Sequence, residues 1–113
     1  MDEIFAKLPP PQEVIIVEAT ISLLSQEAIG RPQGIKTGYR PNHNFGDPEN
    51  RDMFIGQIEF TNKECLYPGE SHDVLVIFLG APGLAEKMVV GNQWRIQEGL
   101  LLIGTGKIKR IIV

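Results

Sequence analysis

The sequence is poor in the residues that bring disulfide or metal chemistry to a small protein. Its 113 residues include one cysteine, Cys65, and only two histidines, His43 and His72. No internal disulfide can form, so we expect a reducing, cytoplasmic location. A metal site needs several His, Cys or carboxylate ligands at suitable spacing, and the sequence shows no such grouping. We therefore expect neither a metal nor a cofactor.

Long apolar runs are also missing. The longest, residues 74–79, is far too short to span a bilayer, so we expect no membrane insertion. Residues 1–13 have neither the basic start nor the apolar core of a signal peptide, and they include three consecutive prolines. We expect residues 1–13 to form an extended lead-in and residues 14–113 to form a single globular domain.

The chain lacks a strong net charge of either sign, since its formal charge is −3. A protein that holds nucleic acid by its overall field is usually basic, so any RNA binding has to come from a local patch. The best local patch consists of Arg31, Lys36 and Arg40, in and beside the glycine-rich loop 26–39, with only Glu27 opposing. This loop is either functional or a segment with three solvated charges.

Complete catalytic and nucleotide-binding motifs are absent as well. Residues 104–107, Gly-Thr-Gly-Lys, resemble part of a phosphate loop, but Leu101 and Ile108 stand where that loop requires glycine and Ser or Thr. Residues 71–73, Ser-His-Asp, are consecutive and so cannot form a catalytic triad. We expect no nucleotide binding and no enzymatic activity. An unrecognised hydrolase or nucleotide binder is the third and least favoured hypothesis.

What the chain does contain is alternation with a period of two, which indicates half-buried strands. The clearest strand lies in residues 13–25, and its inner face is formed by Ile15, Val17, Ala19, Ile21 and Leu23. Residues 53–61 alternate in the same way. Residues 73–79 form the most apolar of these segments, which predicts a strand buried on both sides. No segment predicts a helix.

Residues 92–113 predict a hairpin with a turn at Glu98-Gly99. Trp94 and Ile96 share one face of the first strand, and Gln93, Arg95 and Gln97 share the other. Gly104 and Gly106, two apart in the second strand, mark a bulge, a bend or a close backbone approach. Five or six strands at this spacing predict a closed antiparallel barrel or a sandwich.

Three segments resemble the C-terminal β-barrel of elongation factor Tu. Residues 30–31, Gly-Arg, are followed by Gly-Tyr-Arg-Pro at residues 38–41, with the spacing found in that family. Residues 67–70, Tyr-Pro-Gly-Glu, take the place of a Met-Pro-Gly-Asp turn before an apolar strand. Residues 94–106, WRIQEGLLLIGTG, resemble the family's FAIREGxxTVGxG. The resemblance extends over residues 14–112.

This resemblance implies a six-stranded closed antiparallel barrel, Greek-key-like, without the GTPase domain of the full factor. In that factor the barrel contacts the T-stem of aminoacyl-tRNA, and the resemblance carries over Arg31 and Gly99 as contact positions. Several of the family's polar and cationic positions differ here: Gln97 stands in place of an arginine, and Leu101 and Leu102 in place of an Arg-Thr pair. Fewer cations weaken an RNA interaction, because phosphate contacts dominate its affinity.

Two further functional hypotheses follow, and the first is favoured. It is a stand-alone, non-catalytic binding module for a protein partner of unknown identity. Leu100, Leu101 and Leu102 cannot all face one core, and an exposed apolar cluster indicates an interface. The second hypothesis is a tRNA or RNA-binding module related to translation. The candidate contact residues for a partner or RNA are Arg31, Lys36, Tyr39, Arg40, Gly99, Leu101 and Leu102.

Overall fold

The described part of the chain consists mainly of strands, eight in number, with two short helices. The computed structural model describes residues 13–112, so all but the last residue of the predicted lead-in, residues 1–13, lies outside the described part of the chain. The elements are β1 (Val14–Leu23), α1 (Gln26–Ile29), β2 (Ile35–Lys36), β3 (Asn42–Asn44), β4 (Phe54–Glu59), β5 (Cys65–Leu66), β6 (Ser71–Leu79), α2 (Leu84–Lys87), β7 (Gln93–Glu98) and β8 (Leu101–Ile111).

Six of the strands form a closed antiparallel barrel, as predicted. Their order around the barrel is β1-β6-β4-β3-β7-β8, and β8 closes the ring by pairing with β1. Within it, β3, β4, β6 and β7 are arranged in the order β7-β3-β4-β6, which is the order of a Greek key. The two-residue strands β2 and β5 form a separate small sheet.

The inner face of β1 is the one that its sequence pattern predicts. Val17, Ala19, Ile21 and Leu23 are buried, and Ile15 packs against them from a partly buried position. The outer residues of β1 are polar over its second half. There Thr20 donates to Asp73 on β6, with 2.6 Å between the two oxygen atoms.

The two glycines of β8 leave space for large neighbours. A Cβ atom on Gly106 would lie 2.4 Å from the indole ring of Trp94, and one on Gly104 would lie 2.5 Å from the carbonyl oxygen of Ser22. Trp94 pairs with Gly106 in the register of β7 and β8, so its ring lies against bare backbone. Both glycines are therefore sites of close approach, one of the alternatives that the sequence predicted.

A histidine is buried beside this indole. Trp94 Nε1 donates to His43 Nδ1 at 2.9 Å, so His43 carries its own proton on Nε2, which lies 3.0 Å from the carbonyl oxygen of Gly56. His43 also contacts the edge of Phe78. Burial lowers the pKa of His43 to about 4, because no solvent stabilises the imidazolium. The ring is therefore neutral at physiological pH, and both of its nitrogens have partners.

Strand β6 corrects one prediction. Val74, Val76 and Phe78 are buried, but on the outer face Leu75 and Ile77 are partly exposed and Leu79 is exposed. The strand is therefore buried on one side only, because no helix or second sheet from the described part of the chain packs over the outside of the barrel here. With Ile55 and Arg40, Ile77 and Leu79 line a groove of 160 Å³, which we call the outer groove.

Strand β7 adds two corrections. The turn of the hairpin is formed by Gly99 and Leu100, one residue later than predicted. Gln97, on the polar face of a strand expected to be half-buried, is itself fully buried. It accepts a hydrogen bond from Asn44 at 2.7 Å and donates to the Gly99 carbonyl at 3.2 Å. Asn44 also bonds to Gly46, Asp47 and Asn50, which folds the loop after β3 against this pair.

The two helices were not predicted, because each is a single turn whose signal is too short to give a periodic pattern. Helix α1 begins where the Ser25 hydroxyl accepts from the Ala28 amide, and it ends at Gly30 in the left-handed region. Helix α2 is anchored by Leu84, which is fully buried. Within residues 13–112 no helix has the length and apolar character needed to cross a membrane.

Replacing Gly106 by valine should destabilise the fold by more than about 2 kcal/mol, because the added atoms overlap the Trp94 ring. Thr105→Val, one residue away with an exposed side chain, is the matched control and should change the free energy of unfolding by less than about 0.5 kcal/mol. Urea unfolding of the two variants measures the difference. A Gly106→Val protein that unfolds together with the wild type would contradict the packing described here.

Acidification should destabilise the barrel through His43. An unfolded histidine has a pKa near 6.5, against about 4 in the fold. Between these values the unfolded chain alone binds a proton at this residue, so the free energy of unfolding falls by about 1.4 kcal/mol for each unit that the pH falls. Urea titrations from pH 7.5 to 4.5 measure this slope. His43→Gln should lose that part of it, and an undiminished slope in the variant would assign the effect to other groups.

Candidate functional site

The loop between β1 and β3 is anchored at the end of the barrel where the β7–β8 hairpin turns. Ile29 on α1 and Ile35 on β2 are buried, and β2 pairs with β5. Residues 67–70 form the predicted turn beside this sheet, with Gly69 at a φ of 85° and the Glu70 amide bonded to the Tyr67 carbonyl at 3.0 Å. These contacts fix the backbone of the long loop, and with it the positions from which its charged side chains extend.

Arg31, Tyr39 and Glu98 meet at this end, and we call them the Glu98 cluster. Arg31 makes a bidentate ion pair with Glu98, at 2.5 Å from Nη1 to Oε1 and 2.9 Å from Nη2 to Oε2. The Tyr39 hydroxyl donates to Oε2 of the same carboxylate. The side chains of Arg31 and Glu98 are about one-third exposed. Bidentate pairs of this kind are stronger than single surface contacts.

The electrostatics of the cluster keep each group in its usual ionisation state. The hydrogen bonds from Arg31 lower the pKa of Glu98, and those to Glu98 raise the pKa of Arg31. Burial, followed by the Glu98 carboxylate, raises the pKa of Tyr39. Arg31 and Glu98 are therefore charged and Tyr39 is protonated near neutral pH. No group of the cluster gains or loses a proton near neutral pH, so its three residues form a contact that stabilises the fold.

The three basic residues of the predicted patch have different surroundings. Glu27 is the one acid that opposes them within the loop, but Glu98 neutralises Arg31 from across the barrel end. Arg40 donates from Nε to Gln57 Oε1 at 2.7 Å on the outside of β4, where it lines the outer groove. Lys36 is exposed on β2. Arg31 and Arg40 are thus bonded to side chains on two different strands, β7 and β4.

The tip of the hairpin presents exposed leucines, and we call residues 99–102 the hairpin tip. Leu100 is 63% exposed and Leu101 is 46% exposed, while Leu102 is partly buried. The expectation that these three residues cannot all face the core is therefore confirmed. Across the strand pair, Gln97 lies opposite Leu102 whereas Ile96 lies opposite Gly104, so Ile103 is an extra, buried residue. This bulge changes the direction of β8 directly after the tip.

Glu98 was predicted only as a turn residue and not as a site residue. Its partner Arg31 is 67 positions away, and neither residue has a neighbour in sequence that indicates the pairing. The order of the motifs held an indirect signal, because Arg31, Tyr39 and Glu98 all belong to the segments that resemble one family. In the described residues no three His, Cys, Asp or Glu side chains come together as a metal site.

The Arg31–Glu98 pair should have a coupling energy of about 1 kcal/mol or more, because it is bidentate and shares Tyr39. A double-mutant cycle with Arg31→Ala and Glu98→Ala, measured by urea unfolding at low and high salt, gives this value. Lys63 and Glu70, 3.7 Å apart and similarly exposed, provide the matched control, whose coupling should be close to zero. Equal coupling energies in the two cycles would contradict a special role for the Glu98 cluster.

The sequence matches no protein-family model, and no curated protein is significantly similar to it.

Proposed function

We propose that this chain is a non-catalytic β-barrel module that binds a protein partner through the hairpin tip. The observation that carries the proposal is the exposure of Leu100 and Leu101 side by side at the end of a paired hairpin. The polar Glu98 cluster lies directly beside them. An apolar centre with a polar, hydrogen-bonded rim is the usual composition of a protein interface.

The energetics favour a protein partner at this site. Full burial of one leucine side chain contributes roughly 1.5–3 kcal/mol, so Leu100 and Leu101 together provide a substantial anchor. The tip needs little ordering on binding, because the hairpin beneath it is already formed, and this lowers the entropic cost of association. The charges of Arg31 and Glu98 already satisfy one another and do not require a partner to do so.

We further propose kinship with the C-terminal barrel of elongation factor Tu. Two of the three resembling segments contact each other in this fold, since Arg31 and Tyr39 from the first bind Glu98 from the third. A shared contact gives a physical reason for the segments to occur together. The six antiparallel strands are also the fold that the resemblance implies.

An RNA-binding module in translation is the alternative. It is favoured by the exposed cations Lys36 and Arg40. It is disfavoured by Glu98, which occupies the guanidinium of Arg31 and would repel a phosphate brought close to it. With two cations left, the dependence of affinity on salt would be shallow, because each phosphate contact contributes only about 0.7–0.9 to the log–log slope.

Placing aspartate at both Leu100 and Leu101 should abolish capture of the partner from a lysate of the native organism. Affinity purification of wild-type and variant protein, with proteins identified by mass spectrometry, measures this. Once the partner is known, its Kd should rise at least about tenfold, since the leucines lose their burial energy. The variant should stay folded, because both side chains are exposed.

Two further variants make the experiment specific. Val89→Asp with Val90→Asp alters an equally exposed apolar pair, at 58% and 61% exposure, and should retain the partner. Ile55→Asp alters the outer groove and should also retain it. Loss of the partner with Ile55→Asp but not with the leucine variant would move the site to the outer groove. Capture that disappears after RNase treatment would favour the RNA alternative.

A further inference from the structure

The end of the barrel opposite the hairpin tip contains a cleft that the proposed function does not use. It lies where β3 ends and β4 begins, next to α2, and its volume is 310 Å³. That volume is at the lower limit for small-molecule sites, and the mouths of β-barrels are frequent positions for them. We call it the mouth cleft.

Two aromatic rings line the mouth cleft. Phe45 and Phe54 meet edge to face, with their ring centroids 6.0 Å apart, and both are partly buried. Phe45 in turn stacks on Trp94, which is 3% exposed, with centroids 5.1 Å apart and planes 23° apart. Because the buried indole supports Phe45, the position of this ring is set before any ligand arrives.

Charged side chains surround these rings. Asp52, Glu86 and Lys87 line the cleft and are exposed, so its rim has a net charge of −1. Among residues 13–112, neither carboxylate has an ion-pair partner, and the only bonds of Asp52 are those of its backbone to Asn50. The faces of aromatic rings attract cations, and unpaired carboxylates add to that attraction.

We propose that the mouth cleft binds a cationic ligand with an apolar stem, an ammonium group on a short alkyl or aryl chain. The stem packs on Phe45 and Phe54, and the ammonium group is held by Asp52 and Glu86. Such a group is presented either by a free amine or by the lysine side chain of another protein. Lys87 opposes it by repulsion and limits the affinity. The mouth cleft and the hairpin tip are at opposite ends of the barrel, so either binding proposal can be disproved without affecting the other.

Titration of the full chain with two probes tests the site and identifies the source. Phenethylammonium represents a free amine, and Nα-acetyl-lysine amide represents a lysine side chain. Backbone amide shifts of Gly46 and Gly83, which line the cleft, report binding, as does the fluorescence of Trp94, the one tryptophan of the sequence. We expect saturation with a Kd on the order of 1–10 mM, as befits an exposed cation–π site. Phenylacetate and 2-phenylethanol, the anionic and neutral counterparts, should not saturate.

Removing a negative charge from the rim and removing its positive charge should change the affinity for the ammonium probes in opposite directions. Asp52→Asn and Glu86→Gln should each weaken binding about two- to fivefold, and Lys87→Gln should strengthen it by a similar factor. Glu49→Gln is the matched control, since it makes the same change in net charge on the same exposed loop but outside the cleft. It should leave the Kd unchanged.

The outcomes are distinguishable. Saturation by one probe alone supports the site and names its source, and saturation by both assigns it to ammonium groups in general. The absence of saturable shifts at Gly46 and Gly83 with either probe would overturn the proposal. Equal binding of phenylacetate, or equal weakening by Glu49→Gln and Asp52→Asn, would also overturn it, because recognition would then not depend on these carboxylates.

Discussion

The fit of one indole ring against one bare stretch of backbone holds this barrel together. Trp94 projects from β7 onto Gly106 of β8, donates its N–H to His43 of β3 and meets Phe78 of β6 edge to face. A single side chain thus contacts three other strands of the barrel. The glycine is required because the ring occupies the volume of its missing side chain. Burial keeps His43 neutral, and the hydrogen bond from the indole requires that neutral state, because Nδ1 accepts only when it carries no proton of its own.

A filled interior confines function to the ends and the outside of the barrel. In small barrels the inward side chains fill the lumen, and here the aromatic residues around Trp94 do so. The two ends then differ in chemistry. The end at the hairpin tip presents leucines beside an ion pair that is already satisfied. The mouth cleft presents aromatic rings beside carboxylates that have no ion-pair partner within residues 13–112. The first end is suited to an apolar surface and the second to a cation.

The strands and their inner faces could be predicted from the sequence, because alternation is a local signal that repeats over many residues. β1 and the second half of β4 follow their patterns closely. Prediction was wrong where a contact from a distant part of the chain decides the outcome. Gln97 is buried because Asn44 bonds to it, and Arg31 is neutralised by a carboxylate 67 residues away. Single-turn helices also escape prediction, since one turn is too short to establish a period.

The pairing of β1 with β8 has a consequence for the way the molecule folds. Val17 lies beside Ile111, so the ring closes only when residues separated by nearly the whole described chain have met. Contacts of such large sequence separation slow folding, because the entropy of a long loop is lost before the contacts form. During synthesis on the ribosome, one edge of β1 can pair once β6 has emerged, but the other edge has no partner until β8 follows. Over that interval the free edge is open to pairing with another chain, which is a hazard that chaperones limit.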